Sequence, residues 1–400
     1  MKKLLFTLTA VFFVSSLAVA QNRPYDQKGL NVFENKKVDT LKYNGLKLKV
    51  GGSFTQSWQS LQETNTAAPK MVSGVDQNKL VALNPGFNTA NANLYLDFQL
   101  EDGVYLNLTS YLSSRHHNET WVKGGYIQFD KLPFMHSAFL DNLMQYTTIK
   151  IGHMEINYGD AHFRRSDNGN SIYNPFIENY IMDGFATEIG AEIDVQHNGF
   201  IGVFGITNGE IKGDVAKAAP IEGASDGKHH PAFLGKLGFD KQLSETVRLR
   251  ITGSGYYTAG SISNTLYGGD RGGSHYFSVI ENAISTSTAF SGRYNPGFTD
   301  KIGSLMGNVF LKAGGFEWFT TLETSKGRSR TETSERKANQ FATDALYRFG
   351  SNENFWLGAR YNTVKAEVTG ADDQKLDRFA ISGGWYVTKN IMNCTNCSTN

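Results

Sequence analysis

The stretch GLKLKVGGSFTQSWQS, residues 45–60, puts Leu46, Leu48, Val50, Gly52, Phe54 and Trp58 on one parity and Lys47, Lys49, Ser53, Thr55 and Ser57 on the other. Successive side chains of a β-strand leave opposite faces, so this reads as a strand with one apolar and one polar wall. The alternation recurs at Leu94, Leu96, Phe98 and Leu100, turns at Glu101-Asp102-Gly103, and resumes at Val104, Leu106 and Leu108. An Asp-Gly pair between two alternating runs is a hairpin signal. Phe185, Ile189, Ala191, Ile193 and Val195 continue the pattern, as do Val247, Leu249 and Ile251, and later Phe316, Trp318 and Leu322.

Fourteen such strands can be counted, near residues 46–59, 92–101, 104–113, 120–130, 147–158, 185–196, 199–207, 232–240, 246–258, 304–313, 315–325, 340–349, 354–367 and 376–387. What joins them differs by parity. Odd strands are followed by long segments, 60–91, 159–184, 208–231 and 259–303, whereas even strands mostly end in tight turns such as EDG, HNG, DKQLSET, AGG and GSNEN. A soluble sandwich has no reason for that rule. An outer-membrane barrel has short periplasmic turns and long external loops, so the expected fold is all-β, an antiparallel transmembrane β-barrel whose odd strands run outward. The exception is the connection at residues 130–146, whose Leu132, Met135, Phe139, Leu140 and Leu143 suggest a short amphipathic helix serving as packing.

Composition fits this reading. Gly 42, Tyr 18 and Phe 27 against Pro 8 suit one large β structure with many turns. A mean hydropathy of −0.36 excludes a bundle of apolar helices but not a barrel, whose strands are apolar on one face only. The first twenty residues, MKKLLFTLTAVFFVSSLAVA, carry Lys2 and Lys3, a short apolar run and Ala18-Val19-Ala20, the pattern of a cleaved secretory signal. Its apolar part falls short of the ~20 residues that span a bilayer as a helix. The expected organisation is a signal peptide over 1–20, a periplasmic lead-in over 21–45, a barrel over 46–388 and an atypical tail over 389–400. Beyond the signal, 37 basic residues face 38 acidic ones, which points to no nucleic-acid partner.

With the apolar parity toward lipid, charged residues of the other parity line the lumen. The basic members are Lys47, Lys49, Lys236, Arg248, Arg250, Lys312, Arg348 and Arg360; the acidic ones are Asp97, Glu188, Glu192, Asp194, Glu317, Glu323 and Asp344. Near balance argues against strong charge selectivity. Lys236, Arg248 and Arg250 share the eighth and ninth strands while Glu188, Glu192 and Asp194 share the sixth, so opposed sectors could orient dipolar solutes, or the wall could be polar simply because it is wet. The third long loop opens with YGDAHFRRSDNGN, residues 158–170, which packs Asp160, His162, Arg164, Arg165 and Asp167 together. These groups either constrict the pore by bridging to the barrel wall or pair with one another at the surface, where such bridges contribute little.

The run EINYGDAHFRRSDNGNSIYNPFIENYIMDGFATEIG, with GLNVFENKK near residue 29 and GGWYVTKNIM near 383, resembles outer-membrane porins of the Bacteroidetes type, related to the phosphate-selective porin O and P group. The likeness covers most of residues 28–392. It implies a sixteen-stranded barrel in the Gram-negative outer membrane for passive uptake of small hydrophilic solutes or ions, next to lipopolysaccharide and possible as a homotrimer. The phosphate label is not carried over. After TKNIM the chain departs from the family pattern, running into NCTNCSTN instead of a further strand pair, so either two strands are missing or the barrel closes with fourteen.

No cofactor or metal is indicated. Cys394 and Cys397 form one CxxC without a second pair or the context of a redox motif, and read as a disulfide pair or an incidental tail. His116-His117 and His229-His230 lack nucleophile or metal-ligand spacing, so no enzyme is expected. The main alternative to a porin is a barrel whose long external loops serve binding or adhesion.

Overall fold

The computed structural model describes residues 23–35, 37, 43–88, 90–112, 120–166, 169–210, 218–268, 276–277 and 290–399. The signal segment, Asp167 and the His116-His117 pair lie outside them. Fifteen strands form one antiparallel sheet in which each pairs with its neighbours in sequence. They are β1 (Lys47–Thr55), β2 (Asn91–Glu101), β3 (Val104–Leu112), β4 (Thr120–Phe129), β5 (Thr147–Glu155), β6 (Thr187–His197), β7 (Phe200–Thr207) and β8 (Ala232–Gln242). The series continues with β9 (Val247–Thr258), β10 (Lys301–Ala313), β11 (Phe316–Arg328), β12 (Arg336–Phe349), β13 (Phe355–Ala366), β14 (Gln374–Thr388) and β15 (Ile391–Thr399).

Polarity is inverted relative to a water-soluble β protein. On β11 every position alternates, with Phe316, Trp318 and Leu322 exposed while Glu317, Thr321 and Glu323 are buried. Across the sheet Leu237 is 76% exposed, whereas Lys236 beside it is 1% and Arg250 0%. An apolar belt therefore faces outward and the charges face in, the wall of a transmembrane β-barrel. The sheet curls around chain that fills its interior. Tyr25 donates to Asp97 on β2 at 3.0 Å, Glu34 meets Lys236 on β8 at 3.1 Å, and the Gln27 amide donates to the carbonyl of Lys389 in the β14–β15 turn at 2.8 Å.

Residues 391–399 correct the expectation of an atypical tail and a count of fourteen. They form β15, paired to β14 across a register shift at Tyr386 and Thr388. The apolar parity could not reveal it, because of its outward positions Ile391, Asn393, Thr395, Cys397 and Thr399 three are polar. Cys394 and Cys397 point to opposite faces of this strand and both are free, so they do not pair with each other. The sixth strand starts at Thr187 rather than 185, and Phe185 is buried inside rather than on the lipid face. The connection at 130–146 does hold a helix, α1 (Ala138–Met144), capped by Ser137. Its apolar stripe packs only in part: Leu132 and Leu140 are half-buried, Met135, Phe139 and Leu143 are exposed, and Met144 alone in α1 is buried.

Among the described residues no ladder joins β1 to β15. Both are odd in the order and run the same way. Behind these edges the third long loop crosses the interior: Thr55 on β1 donates to the carbonyl of Gly169 at 2.8 Å, and Ser382 on β14 and Trp356 on β13 donate to that of Pro175 at 2.5 and 3.1 Å.

The outward parity sets a test of the wall. Phe204→Arg, midway along β7, should cost ~2–4 kcal/mol of folding stability in lipid vesicles, read by urea titration. A cost near zero would place this parity away from hydrocarbon.

Candidate functional site

The interior is built from three sources: the inward parity of the strands, the third loop (156–186) and the lead-in segment 23–35. Their meeting point is an ionic cluster. Asp160, fully buried, accepts from Arg250 at 2.8 and 2.7 Å, from Thr252 at 2.6 Å and from Lys236 at 3.0 Å. Glu34 meets the same two cations, Lys236 at 3.1 Å and Arg250 at 2.7 Å. Arg248 and Arg250 also reach Asp240, at 2.6 and 3.2 Å. Three carboxylates thus balance three cations, with one carboxylate from the lead-in, one from the loop and one from the wall. Breaking such a buried group by removing one partner costs more than the intact group contributes, since an uncompensated charge is left behind.

Burial alone would push the Glu34 carboxyl up, but Lys236 and Arg250 outweigh it and hold it at about 2. Asp160 is likewise held below the ordinary carboxylate range: burial opposes ionisation, and the same two cations overcome it. Burial lowers His162, against the opposing pull of Glu155, and the ring lies 2.5 Å from that carboxylate and 3.1 Å from Asn157.

The remaining loop residues are also tied to the interior. Arg164 bonds Asn31 and sits 3.5 Å from Glu317, with its guanidinium over the Phe310 and Phe319 rings. Arg165 reaches Asp183 at 2.6 Å and lies over Phe185. None of the four described residues pairs at the surface, which removes that alternative; all are buried.

The inward charges of the wall are each met locally. Glu192 and Asp194 share Lys150, at 2.9 and 2.8 Å. Glu188 accepts from Tyr256 at 2.8 Å and from Thr207. Lys312 bonds Glu353 at 2.6 Å, Arg348 bonds Glu317 at 2.7 Å and Arg360 bonds Asp344 at 2.7 Å. The basic sector on β8 and β9 is therefore balanced by Glu34, Asp160 and Asp240, whereas on β6 Lys150 offsets one of three carboxylate charges and Glu188 is held by hydroxyl donors alone.

One cavity that stays open, of about 240 Å³, lies on the β2–β6 side. It is lined by Arg23, Tyr25, Tyr95, Lys123, Tyr126 and Glu155 among others. Sequence reasoning had no hold on Arg23, Tyr25 and Glu34, because a lead-in with no period carries no sign of where it docks. Lys150 shares the inward face of β5, a strand whose alternation is weak in sequence.

No family model matches the chain, and no curated protein matches it. Among solved structures it is similar to an anion-selective porin from Comamonas acidovorans, at 10% identity and a TM-score of 0.50 over 88% of each chain. It is similar also to OprB of Pseudomonas putida, at 9% identity and a TM-score of 0.50 over 88% of each chain. The likeness is one of fold, a porin-like barrel, and reaches no further toward the family that the sequence resembles.

Two outcomes test the cluster. Lys236→Met should lower stability by ~3–5 kcal/mol in thermal or urea unfolding. Carboxyls held low in the folded state stabilise fully above their ordinary pKa of 4.5 and cease to do so as pH falls toward 2. A fluorophore attached at Asn35 should therefore stay shielded from a neutral aqueous quencher at pH 5 and become accessible only as pH drops toward 2. Release between pH 7 and 5 would contradict the assignment.

Proposed function

We propose that the protein is an outer-membrane porin through which small hydrophilic solutes or ions diffuse passively, by way of the β2–β6 side of the lumen. The observation that carries this reading is the cavity of about 240 Å³, lined by charged and hydroxyl side chains, that lies inside a wall apolar on its outer face and charged on its inner one. The passage is narrow. Loop residues Asp160, His162, Arg164 and Arg165 constrict it from one side, and residues 23–35 occupy the rim at the short-turn end. Its lining mixes Arg23, Lys123 and Lys150 with Glu155 and Glu192, so a weak charge preference fits better than strong anion selection.

Export through a cleaved signal over 1–20 and residence in the outer membrane belong to the same proposal, as does assembly with further copies. A particular observation favours a second reading: the lead-in and third loop fill most of the bore, which suits a sealed barrel displaying its long external loops for binding.

Planar-bilayer recordings separate the two. The intact chain should give small, steady conductance steps with a reversal potential near zero in a salt gradient. Deleting residues 23–35 should raise each step severalfold. If the intact chain and the deletion variant are both silent while folded barrels are present by heat-modifiable migration, the diffusion reading falls and the binding reading stands.

A further inference from the structure

We infer that the outward wall of β8–β13 carries a binding site for an anionic, acylated lipid of the leaflet on the long-loop side, its phosphate held by Lys326, Lys337 and Lys365 and an acyl chain lying over a glycine floor beneath them. The inference rests on the reading that this wall faces a membrane.

The lysines stand at the long-loop ends of consecutive strands and face outward, all of them exposed. Their pairing is unusual. Lys326 lies directly opposite Lys337 between β11 and β12, and Lys365 lies directly opposite Lys375 between β13 and β14. Like charges directly opposed across two strands destabilise a sheet. The carboxylates nearby offset only part of this. Glu335 bonds Lys301 at 2.7 Å and Lys326 at 3.2 Å, and Asp377 bonds Lys375 at 2.7 Å. Glu367 accepts from the backbone amide of Lys337 at 2.7 Å. Among the described residues, the ammonium groups of Lys337 and Lys365 have no carboxylate partner. A cationic row with two such groups, placed where a barrel wall meets headgroups, complements phosphate.

Below the row the wall is dented. A concavity of about 1070 Å³ opens outward between Leu237, Leu305, Leu322 and Phe341, with Lys365 at its upper lip. The register explains it: Leu237, Gly253, Gly307, Leu322 and Phe341 form one cross-strand row, and Gly253 and Gly307 bring no side chain to it. A Cβ at either glycine would meet nothing within 4 Å. Free phosphate would use the lysines alone. A phospholipid-like anion uses both features, one above the other in the order in which headgroup and chain enter a bilayer. A second copy of this chain seated here would set the lysine row against apolar wall and leave its charge unmet.

The test uses the full chain folded in neutral detergent and titrated with bisphosphorylated lipid A, phosphatidylcholine or inorganic phosphate, with bound ligand counted by native mass spectrometry. Lipid A should be retained and the other two should not. Each lysine near an anionic lipid surface strengthens attachment about fivefold, so K326A/K337A/K365A should weaken lipid A binding on the order of a hundredfold. That variant relieves like-charge contact, so without lipid A it should be as stable as the parent, while lipid A should raise the melting temperature of the parent only. G253L/G307L, which fills the floor without changing charge, should weaken the same ligand; should it fail to fold, the lysine variant decides alone. Lipid A binding untouched by the lysine change, equal retention of inorganic phosphate, or a lipid-free oligomer lost in G253L/G307L would each overturn the site. Lipid A binding by a barrel that conducts nothing leaves the site standing and removes only the diffusion reading; a chain that does not enter bilayers at all removes the site.

Discussion

Every second residue of this sheet must be acceptable to hydrocarbon while the residues between must find polar company inside, and that constraint organises the rest of the molecule. Charged side chains turned inward cannot all be left to water once loop and lead-in fill the bore. The solution is local pairing: Lys150 with Glu192 and Asp194, Arg360 with Asp344, Arg348 with Glu317, and the group formed by Glu34, Asp160 and Asp240 with Lys236, Arg248 and Arg250. The same pairs that satisfy the wall also anchor the segments that narrow it. The fold and the width of the interior are thus coupled through the same contacts, since a change that loosens the cluster frees the lead-in and the third loop together.

Backbone groups inside a membrane need partners as much as side chains do, which is why spanning sheets close. Here the edges of β1 and β15 run in the same direction, so a simple antiparallel closure between them is unavailable. The interior compensates in part. Residues 169–176 run behind both edges, bonded to Thr55 on one side and to Ser382 and Trp356 on the other. The lead-in repeats the span lower down: Tyr25 stacks on Tyr95 of β2 with ring centroids 4.1 Å apart, and two residues later Gln27 reaches the β14–β15 turn. The mainly polar outward face of β15 marks the same seam from outside.

Alternation made the strands legible, because a period of two is local and needs no knowledge of partners. It placed β1 to β14 within a few residues and marked which charges turn inward, from Lys236 on β8 to Arg360 on β13. It failed where the period is absent. β15 carries Asn393 and Thr395 where the pattern wants apolar groups, and the lead-in has no period to read. Partners were hidden for another reason: Glu34 and Lys236 are 202 residues apart, and only the curl of the sheet brings them together. The stretch around Asp160 was conspicuous by its charge, but whether it faced wall, pore or surface depended on residues far along the chain. The α1 stripe misled in part because an amphipathic period does not say which surroundings its apolar side will meet.

The two-faced wall is tested most directly by single-cysteine scanning along β9 in lipid vesicles, in a chain with Cys394 and Cys397 replaced by serine. Fluorophores at Leu249, Ile251, Gly253 and Tyr257 should be quenched by brominated lipid, while those at Thr252 and Ser254 should not, giving a strict period of two. Equal quenching at both parities, or quenching confined to Thr252 and Ser254, would contradict the account.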